Sequence, residues 1–183
     1  MIKTYKELYE VLNYEKKLYK DGLKENIKQI LMATYKNETW KYIKALRYTE
    51  YFKYNKKFFV CRILYIFFCR RKNILGRRLN IDCHEGIFDK GVQVFHTNAI
   101  IINGYVKIGK NCKLHGNNCI GNDGKNLECP IIGNNVDIGN GAKIIGNIKI
   151  ADNIKIAAGA VVVSSFEEEG VTIAGIPAKI IKK

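Results

Sequence analysis

Hydrophobic residues follow two different spacings along the chain, and the change occurs close to residue 80. From residue 4 to about residue 76, apolar side chains recur three and four positions apart, beginning with Tyr5, Leu8, Tyr9 and Leu12. This spacing places them on one face of an α-helix. Because proline is absent from this stretch and glycine is rare, we expect three or four helices there.

After residue 79 an aliphatic residue recurs at every sixth position. Ten of the eleven such positions from Ile102 to Val162 are aliphatic, and Asn126 is the exception. A helix repeats every 3.6 residues and a flat strand every 2, so neither sustains a period of six. A parallel β-helix does, because three short strands with their corners close one coil. We therefore predict about four coils, with residues 122–129 leaving the wall as a loop that preserves the phase.

Positive charge is concentrated in the helical part of the chain. The net charge is +14, and residues 1–80 hold 20 basic and 7 acidic residues against 11 and 10 in residues 81–183. A basic segment attracts phosphates, nucleic acid or an anionic membrane surface, although a solvated, lysine-rich helix surface has the same composition. No recognisable nucleic-acid motif accompanies the charge. We expect no nucleic-acid partner and leave peripheral membrane contact open.

The cysteines predict reduced thiols rather than disulfides or a metal site. None of the six belongs to a CxxC pair, and the histidines lack zinc spacing. The chain has no apolar N-terminal stretch of signal-peptide type, so we expect a cytoplasmic protein. The apolar run 58–69 is too short to span a bilayer and contains Arg62. It is suited to docking on a core or lying at the inner face of a membrane.

Five short motifs of the periodic half carry a resemblance to a known family. They are DCH at residues 82–84, VFH at 94–96, IGNDGK at 120–125, IAAGAVV at 156–162 and AGIPAK at 174–179. Together with the six-residue period, they resemble the hexapeptide-repeat acyltransferases, and in particular the serine acetyltransferase-like subgroup. That subgroup includes O-acetyltransferases of capsule and other surface polysaccharides.

The resemblance implies a left-handed parallel β-helix preceded by an α-helical segment. It divides the chain into a helical domain at residues 1–80, an acyltransferase domain at 81–165 and a C-terminal tail at 166–183 near the coenzyme A site. It also implies acetyl-CoA as co-substrate, no metal, and a homotrimer with the active site between neighbouring β-helices. A pocket with two walls requires such an assembly, because one β-helix has only a shallow groove.

Two histidines and one aspartate are the candidate catalytic residues. His96 falls on the six-residue phase, where a polar ring breaks the pattern, and such breaks mark functional sites. A neutral imidazole accepts a hydroxyl proton at physiological pH; a buried structural histidine is the alternative. Asp82 precedes His96 at close to the family's Asp–His spacing and would orient the imidazole, unless it is a turn or cap residue.

His115 is the second histidine and has several possible roles. It follows His96 at a separation of one predicted coil plus one residue. It could be the base itself, bind the acceptor, donate to the oxyanion, or face solvent at a corner. We expect His84, at the entry to the first coil, to be structural.

The resemblance places the coenzyme A arm against small corner residues and the last turn of the chain. Gly and Ala corners let the arm lie flat along the groove, and a terminal lysine can meet its phosphates or remain solvated. The candidate residues are Gly121, Asn122, Gly139, Ala157, Ala160 and Lys179.

The chain departs from serine acetyltransferases at the positions that hold the amino acid. Phe95 replaces an aspartate before the catalytic histidine, and residues 128–130 read ECP where the family has Arg-His-Pro. We therefore expect acetyl transfer to a sugar hydroxyl of a surface polysaccharide or its precursor, including a lipid-linked one. Serine O-acetyltransferase and a non-catalytic β-helix scaffold are the alternatives.

Overall fold

The structure, a computed structural model, describes residues 1–20, 23–32 and 34–182. It divides into two compact units, Met1–Asn80 and Ile81–Lys183. The first unit is helical and the second consists of short strands, so the change of hydrophobic spacing coincides with a change of secondary structure.

The described part of the first unit contains four helices. They are α1 (Tyr5–Tyr19), α2 (Leu23–Leu31), α3 (Tyr35–Tyr54) and α4 (Phe59–Leu79). Helix α1 begins with a capping box, in which the Thr4 hydroxyl accepts from the Glu7 amide and the Glu7 carboxylate accepts from the Thr4 amide. The Lys3 amide and the Thr4 amide both donate to the Glu7 carboxylate and lower its pKa.

Helix α3 joins the other helices through aromatic packing and a buried ion-pair network. The Phe68 ring of α4 stacks on Tyr48 at 4.5 Å and on Phe52 at 5.5 Å between centroids. Arg47 donates from Nη2 to Glu15 of α1 at 2.6 Å and from Nη1 to Glu50 at 3.2 Å. Burial alone lowers the pKa of the Arg47 guanidinium, but the two carboxylates outweigh it and hold that pKa above its usual value.

None of the helices described in residues 1–20, 23–32 and 34–182 combines the length and apolar character needed to cross a membrane.

The second unit is built from short strands joined by tight corners. The strands are β1 (Ile81–Cys83), β2 (Gln93–Val94), β3 (Ile100–Ile102), β4 (Lys107–Ile108), β5 (Lys113–Leu114), β6 (Cys119–Gly121), β7 (Ile131–Ile132), β8 (Asp137–Ile138), β9 (Lys143–Ile145), β10 (Lys149–Ile150), β11 (Lys155–Ile156), β12 (Val161–Val162), β13 (Thr172–Gly175) and β14 (Ala178–Lys182).

These strands form the three faces of a left-handed parallel β-helix. The sheets have the orders β1-β3-β6-β9-β12, β10-β7-β4 and β14-β13-β11-β8-β5-β2, and every pairing is parallel except β13 with β14. Ile102 pairs with Ile120 in the next coil. Ile120 in turn pairs with Ile144, and this coil is one hexad longer than the one before it because it includes the loop before β7. The predicted β-helix and its phase-preserving loop are both confirmed.

The interior of the coil is filled by the aliphatic residues of the six-residue phase. From Ile102 to Val162, all ten aliphatic members of this phase are at most 3% exposed. Small residues occupy the adjoining corners because neighbouring coils approach closely there. A Cβ added at Gly139 would lie 2.6 Å from the amide nitrogen of Ala158 in the next coil.

One corner of the coil is maintained by a ladder of asparagines. Asn111, Asn135 and Asn153 all have left-handed backbone conformations, with φ of 56°, 55° and 62°. The Asn111 amide donates to Asn135 at 3.2 Å, and the Asn135 amide donates to Asn153 at 3.0 Å. Asparagine tolerates this conformation better than other residues with a side chain, so the ladder stabilises successive coils.

The C-terminal residues extend the β-helix and then reverse direction. Phe166 forms a parallel bridge with Ile150, and β13 pairs with β11 as one more strand of its face. Strand β14 then returns antiparallel to β13. Residues 166–182 therefore include a last strand of the coil as well as a terminal hairpin.

Candidate active site

His96 lies in an enlarged corner of the first coil. Val94 is the inward-facing residue of β2 and pairs with Leu114, and the next inward residue of the phase is Ile102. These two are eight positions apart rather than six, and Ala99 in the extra segment has a φ of 46°. His96 is exposed at this corner. Its assignment to the inward phase is therefore wrong, because two extra residues shift the register of the first coil.

Gly116 and the buried Asn118 lie in the next coil, against the corner that carries His96. A Cβ added at Gly116, whose φ is +93°, would lie 2.8 Å from the His96 carbonyl oxygen and 3.2 Å from the His96 Cβ. The Gly116 amide donates to the side chain of Asn118 at 3.1 Å. That side chain is fully buried and donates to the Gly139 carbonyl at 2.9 Å. Asn118 therefore stabilises the turn at Gly116, which lies against His96.

The expected pairing of Asp82 with His96 is absent from this protomer. Asp82 is exposed on β1 and pairs in register with Ile101. Across residues 1–20, 23–32 and 34–182, no hydrogen bond or ion pair joins its carboxylate to the His96 ring. His84, also exposed, lies against the next coil, 3.2 Å from the Cβ position of Gly104.

His115 forms the histidine–carboxylate pair that the structure does contain. Its Nε2 lies 2.7 Å from Oδ1 of Asp137, and the two side chains are 35% and 32% exposed. The carboxylate only accepts, so a neutral His115 in this orientation carries its proton on Nε2 and presents the lone pair of Nδ1. Lys113 lies 4.0 Å from the other oxygen of Asp137. The hydrogen bond to Asp137 holds the imidazole of His115 in place.

Phe95 and His115 form a flat stack beside His96. Their rings are 4.8 Å apart between centroids and 7° from parallel, because the two residues occupy the same position in successive coils. Phe95 is 45% exposed. The stack offers an aromatic surface next to an exposed imidazole.

The six residues predicted to line the coenzyme A site occupy different environments. Gly139 and Ala157 follow one another at the same corner, since the Gly139 amide donates to Ile156 and the Ala157 amide donates to Ile173. Ala160 is only 1% exposed, so its methyl group packs in the core instead of lining a groove. Lys179 is exposed on β14 opposite Ala174.

Gly121 and Asn122 lie where the long loop leaves the wall. A Cβ added at Gly121 would meet Asn103 Cβ at 3.2 Å. The Asn122 side chain donates to the Asn126 carbonyl and accepts from Asn103 at 3.5 Å. Farther along the loop, the Lys125 amide donates to Asp123 at 2.9 Å and lowers the pKa of that carboxyl. The loop is therefore organised by its own side chains.

Two of the cysteine thiols are buried and have raised pKa values. Burial raises the pKa of Cys112 to about 11 and also raises the pKa of Cys129, so both thiols are protonated at neutral pH. None of the six cysteines, all of which lie in described parts of the chain, forms a disulfide. Within the described ranges, no three or more His, Cys, Asp or Glu side chains are grouped as metal ligands.

Asp137 and Asn118 were not identified as site residues from the sequence, and Phe95 was noted only as the replacement of an aspartate. Asp137 reads as a solvent-facing residue before Ile138. Its place in the site follows from the strand register. Once the extra hexad of the loop is taken into account, Asp137 pairs with Lys113 of the preceding coil and lies next to His115. Phe95 and Asn118 are likewise assigned by their neighbours in adjacent coils.

Comparison with solved structures places the fold among serine acetyltransferases. The enzyme from Brucella abortus strain S19 superposes with a TM-score of 0.74 at 23% identity, over 97% of this chain and 70% of the other. The serine acetyltransferase of Neisseria gonorrhoeae gives a TM-score of 0.74 at 22% identity, over 98% and 68%. The Brucella enzyme in complex with coenzyme A gives 0.72 at 24% identity, over 98% and 69%.

No protein-family model matches the chain, and a search of the curated proteins also gave no match. The chain spans 58% of the length of a serine acetyltransferase solved with cysteine, at 25% identity and a TM-score of 0.64 over 79% of this chain. At these identities the comparisons establish a shared architecture: a left-handed β-helix preceded by helices.

Proposed function

We propose that the protein is an acetyl-CoA-dependent O-acetyltransferase that uses His96 as its general base. The observation that carries the proposal is the exposed imidazole in the enlarged corner beside the Phe95–His115 stack. The scaffold around it resembles a serine acetyltransferase solved with coenzyme A. Acetyl-CoA is the proposed co-substrate, and no metal takes part in the proposed reaction.

The reaction requires one proton acceptor and one place for negative charge. The imidazole of His96 removes the proton of the acceptor hydroxyl while the oxygen attacks the thioester carbonyl. The tetrahedral intermediate collapses with cleavage of the C–S bond, and the coenzyme A sulfur takes the proton from the imidazolium. An acetyl ester and free coenzyme A are the products. His115, fixed by Asp137, presents the lone pair of Nδ1 and is suited to hold the acceptor by accepting a hydrogen bond from one of its hydroxyls.

We propose a sugar hydroxyl of a surface polysaccharide, or of its precursor, as the acceptor. The sequence lacks the aspartate, arginine and histidine that hold the amino acid in the serine enzymes. Phe95 occupies the aspartate position and presents a half-exposed ring, and such a ring packs well against the apolar face of a sugar. Glu128 occupies the position at which the resemblance leads one to expect an arginine, so a carboxylate replaces a cation there. This carboxylate accepts a hydrogen bond from Asn147.

Serine O-acetyltransferase is the second candidate function. The specific observation in its favour is that the similar solved structures are serine acetyltransferases, including one in complex with serine at 23% identity and a TM-score of 0.72. Serine would have to be bound without the three side chains named above. The two candidates share the co-substrate and the base, so they differ only in the acceptor.

We propose a homotrimer as the active form. His96, His115 and Phe95 all face solvent or are half-exposed in one protomer, whereas acetyl transfer benefits from a site with two walls that excludes water. A cyclic trimer would provide three equivalent clefts. Light scattering should give about three times the protomer mass of 20.9 kDa, and a monomer that retains full activity would contradict this assembly.

An acceptor panel decides between these functions. The full chain is incubated with acetyl-CoA and either L-serine or oligosaccharides from surface polysaccharides, and free coenzyme A and acetylated product are measured by mass spectrometry. We expect acetylated sugar and little O-acetylserine. Efficient O-acetylserine formation would overturn the sugar assignment. If calorimetry detected no coenzyme A binding, the non-catalytic scaffold would replace both enzymatic functions.

A further inference from the structure

Helix α4 carries an exposed apolar strip in its first half. Five large apolar side chains there are between 53% and 74% exposed: Phe59, Val60, Ile63, Ile66 and Phe67. The opposite side of the helix packs on α3 through Phe68. A contiguous exposed patch of this kind marks a surface that binds something. We use the name α4 face for these five residues together with five exposed arginines of the same helix: Arg62, Arg70, Arg71, Arg77 and Arg78.

Exposed arginines surround and extend the apolar strip. Arg62 lies within it, and Arg70, Arg71, Arg77 and Arg78 follow along the same helix. No ion pair involves these guanidinium groups in the part of the chain that the structure describes. Between residues 51 and 80 there are nine basic residues and no acidic one, so the helix itself supplies no countercharge.

The spacing of these residues places charge and apolar groups on one side of α4. Phe59, Ile63, Ile66, Arg70 and Arg77 are separated by three, four or seven positions and therefore lie along one stripe of the helix. An occupant of this stripe must accept apolar side chains at one end and neutralise guanidinium groups at the other. A second copy docking through the same face would bring arginines against arginines, which disfavours it.

We propose that the α4 face docks on an anionic phospholipid membrane. The helix would lie in the plane of the surface, with its phenylalanines and isoleucines at the boundary of headgroups and acyl chains and its arginines on lipid phosphates. Arg62, Arg70 and Arg71 prevent it from crossing the bilayer. This docking is independent of the chemistry at His96. Its consequence, delivery of the catalyst to a lipid-linked acceptor, rests on the proposed function.

Vesicle co-sedimentation of the full chain tests the proposal directly. The protein should pellet with vesicles of phosphatidylcholine and phosphatidylglycerol, and much less with phosphatidylcholine alone. Because each basic residue near an anionic surface contributes about fivefold in affinity, Arg70→Gln/Arg77→Gln should weaken binding at least about tenfold. Ile66→Ser/Phe67→Ser should weaken it as well, since the apolar strip is the second half of the site.

The matched control is Lys6→Gln/Lys17→Gln, which removes the same charge from exposed positions of α1. It should retain most of the binding, and circular dichroism should show that all three variants are folded. The proposal is overturned if the wild-type chain binds neither kind of vesicle, or if the control variant loses as much binding as the arginine variant. It is also overturned if Ile66→Ser/Phe67→Ser dissociates an oligomer without changing sedimentation, because the face would then be a subunit interface.

Activity on a soluble acceptor separates the docking proposal from the proposed function. All of the α4 variants should acetylate a water-soluble sugar at the wild-type rate. Vesicle binding without any acetyl transfer would refute only the enzyme assignment, whereas acetyl transfer without vesicle binding would refute only the docking.

Discussion

The position of His96 depends on the residue directly beneath it. Gly116 has a φ of +93°, and a Cβ there would press on the carbonyl oxygen and Cβ of His96. Only glycine meets both requirements, because side chains are disfavoured at this φ and the contact at 2.8 Å leaves no space. The corner that presents the imidazole is therefore specified by a residue one coil away.

We predict that Gly116→Ala impairs acetyl transfer as well as stability. The positive φ should lower the free energy of unfolding by about 1–2 kcal/mol, and displacement of His96 should lower kcat/KM at least about tenfold. Urea denaturation and steady-state kinetics measure the two effects. The control is Gly146→Ala, which has a φ of +104° but nothing within 4 Å of the added Cβ. Equal kinetic losses in both variants would show that strain, and not contact with His96, is responsible.

Asp137 should act on the acceptor through His115. Asp137→Asn keeps the shape of the side chain but weakens its bond to the His115 ring, which is worth about 1 kcal/mol. We expect KM for the acceptor to rise about 5- to 10-fold with kcat within about threefold. The control Lys113→Gln removes the neighbouring charge without touching the His115–Asp137 bond. A large fall in kcat with unchanged KM would instead identify His115 as the base.

At the residue scale, the sequence offers candidate histidines, but it does not show which side chains they contact. His96 is selected because it is assigned to the inward phase, which the structure corrects, and His115 because it follows His96 by one predicted coil plus one residue. Their contacts depend on the register between coils, and the two extra residues after Val94 shift that register without any signal in composition. The predicted Asp82–His96 contact is not present in this protomer, and the His115–Asp137 pair emerges only when strands β5 and β8 are aligned.

At the scale of secondary-structure elements, the corners of the β-helix hold its coils in register. Asn135 occupies the middle rung of the asparagine ladder, where it donates one side-chain hydrogen bond and accepts another. Its left-handed conformation is one that alanine adopts poorly and glycine adopts freely. The ladder therefore stabilises the fold through conformation and hydrogen bonding together.

We predict that Asn135→Ala is more damaging than Asn135→Gly. Alanine loses both ladder bonds and adds backbone strain, for a combined loss of about 2 kcal/mol in the free energy of unfolding. Glycine loses the bonds but not the conformation, so its loss should be smaller. Chemical denaturation of the two variants measures the difference. If alanine were tolerated as well as glycine, the left-handed corner would not be a constraint on the sequence.

Asp152 should make the stability of the coil dependent on pH. Its carboxylate accepts from the Asn134 side chain at 2.8 Å and from the Asn134 amide at 2.7 Å, and these bonds lower its pKa. A lowered folded-state pKa gives stability that is present above the ordinary aspartate pKa of about 4. That stability is lost as the pH falls through the lowered value.

The comparison with Asp152→Asn tests this dependence. Wild type should exceed the variant in melting temperature at pH 7. The difference should shrink at pH 3, because the unfolded chain takes up a proton below the ordinary aspartate pKa of about 4 and the folded carboxylate resists it. Glu167→Gln, at an exposed carboxylate elsewhere in the second unit, controls for the loss of one negative charge. A difference that is the same at both pH values would exclude ionisation as its origin.

At the scale of the whole molecule, the six-residue repeat made the fold of the second unit predictable. The first unit has no such repeat, so less of its packing could be predicted. Ten aliphatic residues on one phase specify the interior of the coils. The helices follow from apolar spacing, but the buried Arg47 network does not, because Glu15 and Glu50 look like surface residues until α1 and α3 are packed together. The high positive charge of residues 51–80 was visible in the sequence, whereas its alignment with an exposed apolar strip required the helix.

The central claim is that the imidazole of His96 performs the chemistry, and one measurement tests it most directly. Wild type and His96→Asn are compared for acetyl transfer from acetyl-CoA to the best acceptor, with coenzyme A binding measured by calorimetry in both. We predict that kcat falls by about 10² to 10⁴ while the affinity for coenzyme A changes little. A His96→Asn protein that transfers acetyl groups at the wild-type rate would contradict the claim.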